Sequence, residues 1–138
     1  MKVAVSACLL GENCKYNGGN NKNEKLLTFL RDKEVIPICP EVLGGLPVPR
    51  SPVELQGGRA VDADGISRDE EFRLGARRAL EIILREKAEL VILQSRSPSC
   101  GVRQIYDGSF SKMLVDGQGI FARMACAAGF KVMDAEEL

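Results

Sequence analysis

Histidine and tryptophan are both absent from this chain of 138 residues. Without histidine there is no Ser-His-Asp triad, no Cys-His pair and no imidazole-bound zinc. Acid–base chemistry falls instead to carboxylates, Lys, Tyr, Cys or water. Aromatic residues make up only 5% of the chain, so no platform of stacking rings for nucleic acid is advertised. Net charge is missing too, because 19 Lys and Arg balance 19 Asp and Glu. A nucleic-acid binder carries a basic excess or stripe, so a small molecule is the expected ligand and nucleic acid is not. No apolar run approaches the length that spans a bilayer, so no membrane partner is expected. Met1-Lys2 leads straight into Val3-Ala4-Val5, too short a run for the core of a signal peptide, and the expected location is cytoplasmic.

Cysteine, by contrast, is plentiful for a chain of this size: Cys8, Cys14, Cys39, Cys100 and Cys126. In a reducing compartment these read as ligands, catalysts or core residues rather than disulfides. The chain is 45% hydrophobic, enough for one domain, residues 1–138, to bury a core without covalent staples.

Lys2 to Cys8 has the continuous apolar pattern of a buried parallel strand. A polar, Gly/Asn-rich stretch follows, then helical spacing over Glu24 to Lys33. Val35 to Cys39 reads as a second strand despite Pro37, which is awkward there. Pro40 to Pro52 reads as an irregular Pro/Gly loop, and Asp64-Gly65 as the turn of a small hairpin. Asp69 to Lys87 is the clearest helix, acidic at its start and basic at its end. Leu90 to Leu93 is the clearest strand. Tyr106 to Val115 reads as irregular with a turn at Asp107-Gly108. Gly119 to Ala128 reads as a helix capped by Gly129, and Lys131 to Met133 as a closing strand.

Strands alternating with helices predict an α/β fold: a small, Rossmann-like, open and mostly parallel sheet flanked by helices. Ligands bind such sheets beyond the carboxyl ends of the strands. Cys8, Cys39 and Cys100 all fall at or just past such an end, so three cysteines distant in sequence are predicted to share one rim. Thiolates select zinc or iron–sulfur clusters. The chain lacks the C-x-x-C pairing usual in structural zinc sites. Three cysteines on a cubane cluster would leave one iron open to substrate. Spacing alone leaves this reading level with that of three buried, unliganded cysteines.

The motifs around these cysteines are Ser6-Ala-Cys-Leu-Leu-Gly11 with Tyr16-Asn-Gly-Gly19, Cys39-Pro-Glu41 with Gly44-Gly-Leu-Pro-Val-Pro-Arg50-Ser-Pro52, and Ser95-Arg-Ser-Pro-Ser-Cys-Gly101. Together with Gly117-Gln-Gly119 and Phe121-Ala122, they resemble the DUF 523 family of thiouracil desulfidase-like (TudS-like) proteins over Met1 to Met133. The resemblance implies a catalytic [4Fe–4S] cluster held by Cys8, Cys39 and Cys100. Its open iron would take sulfur from a thiolated pyrimidine base or nucleoside of the 2- or 4-thiouracil type, releasing the oxo-base and sulfide without net electron transfer. It implies an acid–base role for Glu41 and an active role for Ser97. Gln94 stands where that pattern has lysine. Sulfur transfer by the same cluster, or a non-catalytic metal-binding or redox-sensing module, are the competing readings.

Other residues carry weaker signals. Cys14 is C-x₅-C from Cys8 and is a candidate fourth ligand, although an idle loop thiol fits equally. Cys126 lies among alanines on a predicted helix and is expected in the core. Arg50 and Arg96 flank the cysteine motifs, and Arg50 is the candidate for binding an anionic substrate. Ser97 and Ser99 also suit a turn around Pro98. Gly117-x-Gly119-x-x-Ala122 mimics a dinucleotide fingerprint, but it lies at the end of the chain. The helix after it is expected to aim free N–H groups at the substrate or the metal.

Overall fold

The computed structural model describes residues 1–138. In chain order the strands are β1 (Lys2–Ser6), β2 (Glu34–Ile38), β3 (Val53–Gln56), β4 (Arg59–Asp62), β5 (Leu90–Leu93), β6 (Gln104–Tyr106), β7 (Leu114–Asp116) and β8 (Val132–Asp134). The helices are α1 (Glu24–Phe29), α2 (Pro40–Leu43), α3 (Asp69–Arg85) and α4 (Ile120–Ala127).

Four strands form a parallel sheet in the order β2-β1-β5-β8. Alternation along the strands sends Val3, Val5, Leu90 and Ile92 to one face, where they pack with Leu26 of α1 and with Leu30. Ala4, Val91 and Leu93 face the other way, onto Phe72, Ala76, Ala79 and Ile83 of α3 and Phe121 of α4. Both faces are therefore covered, which is why Leu90–Leu93 is buried at every position. This is the expected α/β fold. The chain runs outward from β1 to β2, then crosses back to β5 and on to β8, so strand order reverses between β1 and β5. A crevice opens at the carboxyl end of that switch point. No helix is long and apolar enough to cross a membrane.

Pro37 lies on β2, an edge strand, where a residue without an N–H is tolerated. The segment expected as a loop after Cys39 begins instead with α2. Pro40 occupies its first turn, where a missing N–H costs nothing and the fixed φ suits a helix. This short helix lies directly on α3: a Cβ on Gly75 would overlap the Pro40 carbonyl oxygen, and one on Gly44 the Glu71 carbonyl oxygen. Only glycine permits that approach.

The hairpin of β3 and β4 turns at Gly57-Gly58, both left-handed with φ of 57° and 84°, and Asp64-Gly65 turns the chain back on β4, where Ser67 bridges Val61 antiparallel. In that second turn the Gly65 N–H donates to the Asp62 carbonyl at 2.9 Å. Tyr106 to Val115, expected to be irregular, lies within a two-stranded antiparallel ribbon of β6 and β7 that includes the Asp107-Gly108 turn. Cys126, expected in the core, is exposed. Ala122 and Ala125 form the buried stripe of α4, and position 126 is the next residue around the helix, off that stripe.

Candidate active site

The crevice is a cavity of about 460 Å³. Cys8, Cys14, Cys39, Cys100, Glu41, Arg50 and Ser97 all line it. Cys8 enters on the tight turn Ala7–Leu10 that follows β1. Cys39 follows β2 as the residue capping α2. Cys100 sits in the Ser97–Gly101 turn beyond β5, closed by a Gly101 N–H bond to the Ser97 carbonyl at 2.8 Å. The sheet thus brings together three thiols from three adjacent strands. Cys14, on the loop after Cys8, faces the Cys8 and Cys39 thiols across the same cavity.

The thiols are electrostatically unequal. Donation from the Cys14 thiol brings Cys8 down to about 7, against the opposing effect of burial and with help from the Asn21 amide at 3.6 Å. Cys39 is also lowered, first by Cys14. Cys14, whose single thiol proton serves both neighbours, is held strongly protonated first by Cys39 and then by Cys8. Burial pushes Cys100 up to about 12, although the hydroxyls of Ser6 and Ser99 act in the other direction.

Glu41 projects from the first turn of α2 into this group of thiols. Its Oε1 accepts from Arg50 Nε at 3.2 Å and Nη2 at 3.1 Å, in an ion pair whose side chains are only 14% and 7% exposed. Its Oε2 accepts from the Ser99 hydroxyl at 2.8 Å. Arg50 also donates to the carbonyls of Cys14 at 2.9 Å and Pro47 at 3.1 Å. Four of its five N–H groups are thereby engaged, so the guanidinium lies on Glu41 rather than free in the cavity.

The Ser97 hydroxyl accepts the N–H groups of Ser99 at 3.1 Å and Cys100 at 3.0 Å, and lies 3.0 Å from the Ser99 hydroxyl. With Ser99 donating to Glu41, Ser97 donates to Ser99, and the three form one chain of hydrogen bonds. Ser99 is buried and in contact with the carboxylate, a role its sequence context did not reveal. A serine beside proline reads as a turn former, and nothing local ties residue 99 to residue 41. Gln94 lines the cavity with a neutral amide, while its backbone N–H donates to the Ser6 hydroxyl at 3.0 Å. Arg96 also lines the cavity but pairs with Glu136 at 2.9 Å.

The expectation of free N–H groups at the start of α4 is overturned. Ile120 N–H donates to the Pro98 carbonyl at 2.9 Å, and those of Phe121 and Ala122 donate to the Ser99 carbonyl at 2.9 and 3.1 Å. A Cβ on Gly119 would stand 2.6 Å from the Ser99 carbonyl oxygen. Gly119 therefore seats the Cys100 turn on α4, and the first three N–H groups of the helix are not left for a phosphate.

The model of the 2-thiouracil desulfurase family matches residues 3–137. The chain belongs to that family. It is 36% identical over 146 residues to the uncharacterized protein YbbK of Bacillus subtilis (strain 168), covering 99% of this chain and 97% of that protein. It is also similar to a solved structure, the [4Fe–4S]-dependent thiouracil desulfidase TudS, with a TM-score of 0.92 and 35% identity over 99% of this chain and 92% of that one.

The donors present here suit a [4Fe–4S] cluster, the group on which that solved relative depends. Cluster iron is held by thiolates, and thiols from three strand ends ring one cavity, with two of them shifted toward the thiolate. No three Cys, Asp or Glu side chains are arranged to hold a single metal ion.

Proposed function

We propose that the chain is an iron–sulfur-dependent desulfidase that removes sulfur from a thiolated pyrimidine base of the 2- or 4-thiouracil type. Cys8, Cys39 and Cys100 hold a [4Fe–4S] cluster, Glu41 is the acid–base residue, and Ser97 and Arg50 support it. The observation that carries this reading is the meeting of three strand-end thiols and a hydrogen-bonded glutamate in one cavity.

Bound there, the cluster would supply a Lewis-acidic iron that draws on the sulfur of the base. The chain's own residues handle the water. A carboxylate within reach of a water in the cavity takes one proton as the water oxygen bonds to the thiocarbonyl carbon. Glu41 is suited to this because Arg50 and Ser99 hold its two oxygens in fixed directions. The carbon–sulfur bond breaks, sulfur leaves with the bonding pair, and the two protons of the water end on it. Thio-base and water give oxo-base and hydrogen sulfide, and no oxidant or reductant is needed. The Ser97–Ser99–Glu41 chain offers a path for returning the proton from the carboxylate. Arg50 acts chiefly by orienting Glu41, with one N–H left for the substrate.

The test is sulfide release from 2- and 4-thiouracil by protein purified and reconstituted without oxygen, alongside assays of iron and acid-labile sulfide. Roughly four irons per chain, with turnover that is lost in Cys39→Ser, is the expected result. Iron without turnover would redirect the reading to sulfur transfer. Stoichiometric zinc would leave a non-catalytic module as the better account.

A further inference from the structure

The cavity has a wall that the acid–base chemistry does not use. The chain contains only two tyrosines, and both Tyr16 and Tyr106 line this one cavity, joined by Phe110. A chain poor in aromatics has gathered three of them at its reactive crevice. Tyr106 and Phe110 come from β6 and from the loop joining it to β7, and both are half-buried.

That loop is held in an unusual shape. Phe110 and Lys112, both facing the cavity, have φ of 57° and 62°, a conformation that L side chains rarely adopt. Glu54 of β3 holds it there: Oε1 accepts the N–H groups of Gly108 at 3.0 Å and Phe110 at 3.1 Å. Gln56 adds a bond from its amide to the Gly108 carbonyl at 2.9 Å. A carboxylate on the cavity wall is thus committed to presenting the Phe110 backbone.

We propose that Phe110 and Tyr106 form the stacking surface for the planar ring of the substrate, with Glu54 as the positioning residue that sets the Phe110 ring. This rests on the desulfidase reading for the identity of the ring. The ligand class is a six-membered heteroaromatic base, recognised through its π-face. A stacking surface is tolerant of where the sulfur sits on the ring, because every position of the ring shares the same face.

The probe is uracil, which lacks sulfur and does not react, titrated calorimetrically into the cluster-loaded chain. Phe110→Leu keeps apolar bulk but removes the ring, and is expected to weaken uracil binding about tenfold. Phe110→Tyr should restore it. Glu54→Ala should weaken binding in the same direction, and KM for 2-thiouracil should rise in parallel with Kd for uracil. Uracil binding equally tight in Phe110→Leu, or absent from the unaltered chain, overturns the proposal. If uracil binding depends on Phe110 while the loaded chain releases no sulfide from thiouracil, the stacking surface stands and the desulfidase reading falls. If sulfide is released and Phe110→Leu changes neither Kd nor KM, the reverse holds.

Discussion

The Ser99 hydroxyl donates to Glu41 Oε2 at 2.8 Å, joining the turn that carries Cys100 to the helix that follows Cys39. Two cysteine-bearing segments, separate in sequence, are thus fastened to each other through the carboxylate proposed to do the acid–base work.

Glu41→Gln is expected to retain iron and acid-labile sulfide while sulfide release falls by about 10²–10⁴, the usual contribution of a positioned acid or base. Ser99→Ala, which removes only one donor, should lower kcat by about tenfold, the rate equivalent of one hydrogen bond of about 1.4 kcal/mol. Steady-state kinetics on preparations of matched iron content distinguish the two. Loss of iron in Glu41→Gln would argue that the residue is structural.

Arg50 and Glu41 are a nearly buried pair, so removing one partner strands the other. Arg50→Ala should destabilise the metal-free chain by about 3 kcal/mol. The double variant Arg50→Ala, Glu41→Gln should be less unstable than the two single losses added together. Chemical denaturation of all three variants gives the coupling, and strict additivity would mean that the ion pair contributes nothing specific.

Cys8 sits at about 7 chiefly because Cys14 donates to its sulfur. In metal-free protein, Cys14→Ala removes that donor, and the Cys8 value should rise toward the ordinary thiol range. The Cys8 thiolate fraction at pH 7.5 must then fall, so alkylation by iodoacetamide should slow at that pH and its midpoint move to higher pH. Peptide-resolved mass spectrometry across a pH series reads both effects. An unchanged midpoint would place the cause elsewhere.

Gly75→Ala sets a methyl group against the Pro40 carbonyl oxygen. Overpacking of this kind costs about 1–3 kcal/mol, and relief requires α2 to move away from α3. Because Cys39 and Glu41 ride on that helix, thermal stability and iron retention should fall together. Gly45→Ala, where nothing lies within 4 Å of the added Cβ but φ is 92°, should affect stability alone.

Much of the fold was legible because its signals are local and periodic. The continuous apolar runs at Val3 and Leu90, the amphipathic span from Asp69 and the alternation of strand and helix suffice for a parallel α/β sheet. That in turn predicts where Cys8, Cys39 and Cys100 meet. The irregular half was less legible for physical reasons. Pro40 reads as a helix breaker unless its place in the first turn is known, and β6 and β7 pair over only three positions per strand. The N–H groups at the start of α4 read as free because their acceptors, the carbonyls of Pro98 and Ser99, lie about twenty residues away in an unrelated motif. Cys126 was misplaced by a single position around the helix, the margin between a buried stripe and water. Ser99 was within the motif, but its contact with Glu41 is purely tertiary.

The seating of the Cys100 turn on α4 also fixes an order of events in time. A chain emerging from synthesis presents Cys8, Cys14 and Cys39 early, but the turn holding Cys100 has no acceptor-satisfied seat until residues 119–122 arrive and donate to Pro98 and Ser99. The three thiols become a defined set only when residues 119–122 are in place and β5 has joined the sheet. Cys100 therefore depends on contacts made by residues 119–122, whereas Cys8 and Cys39 follow two strands that pair directly with each other.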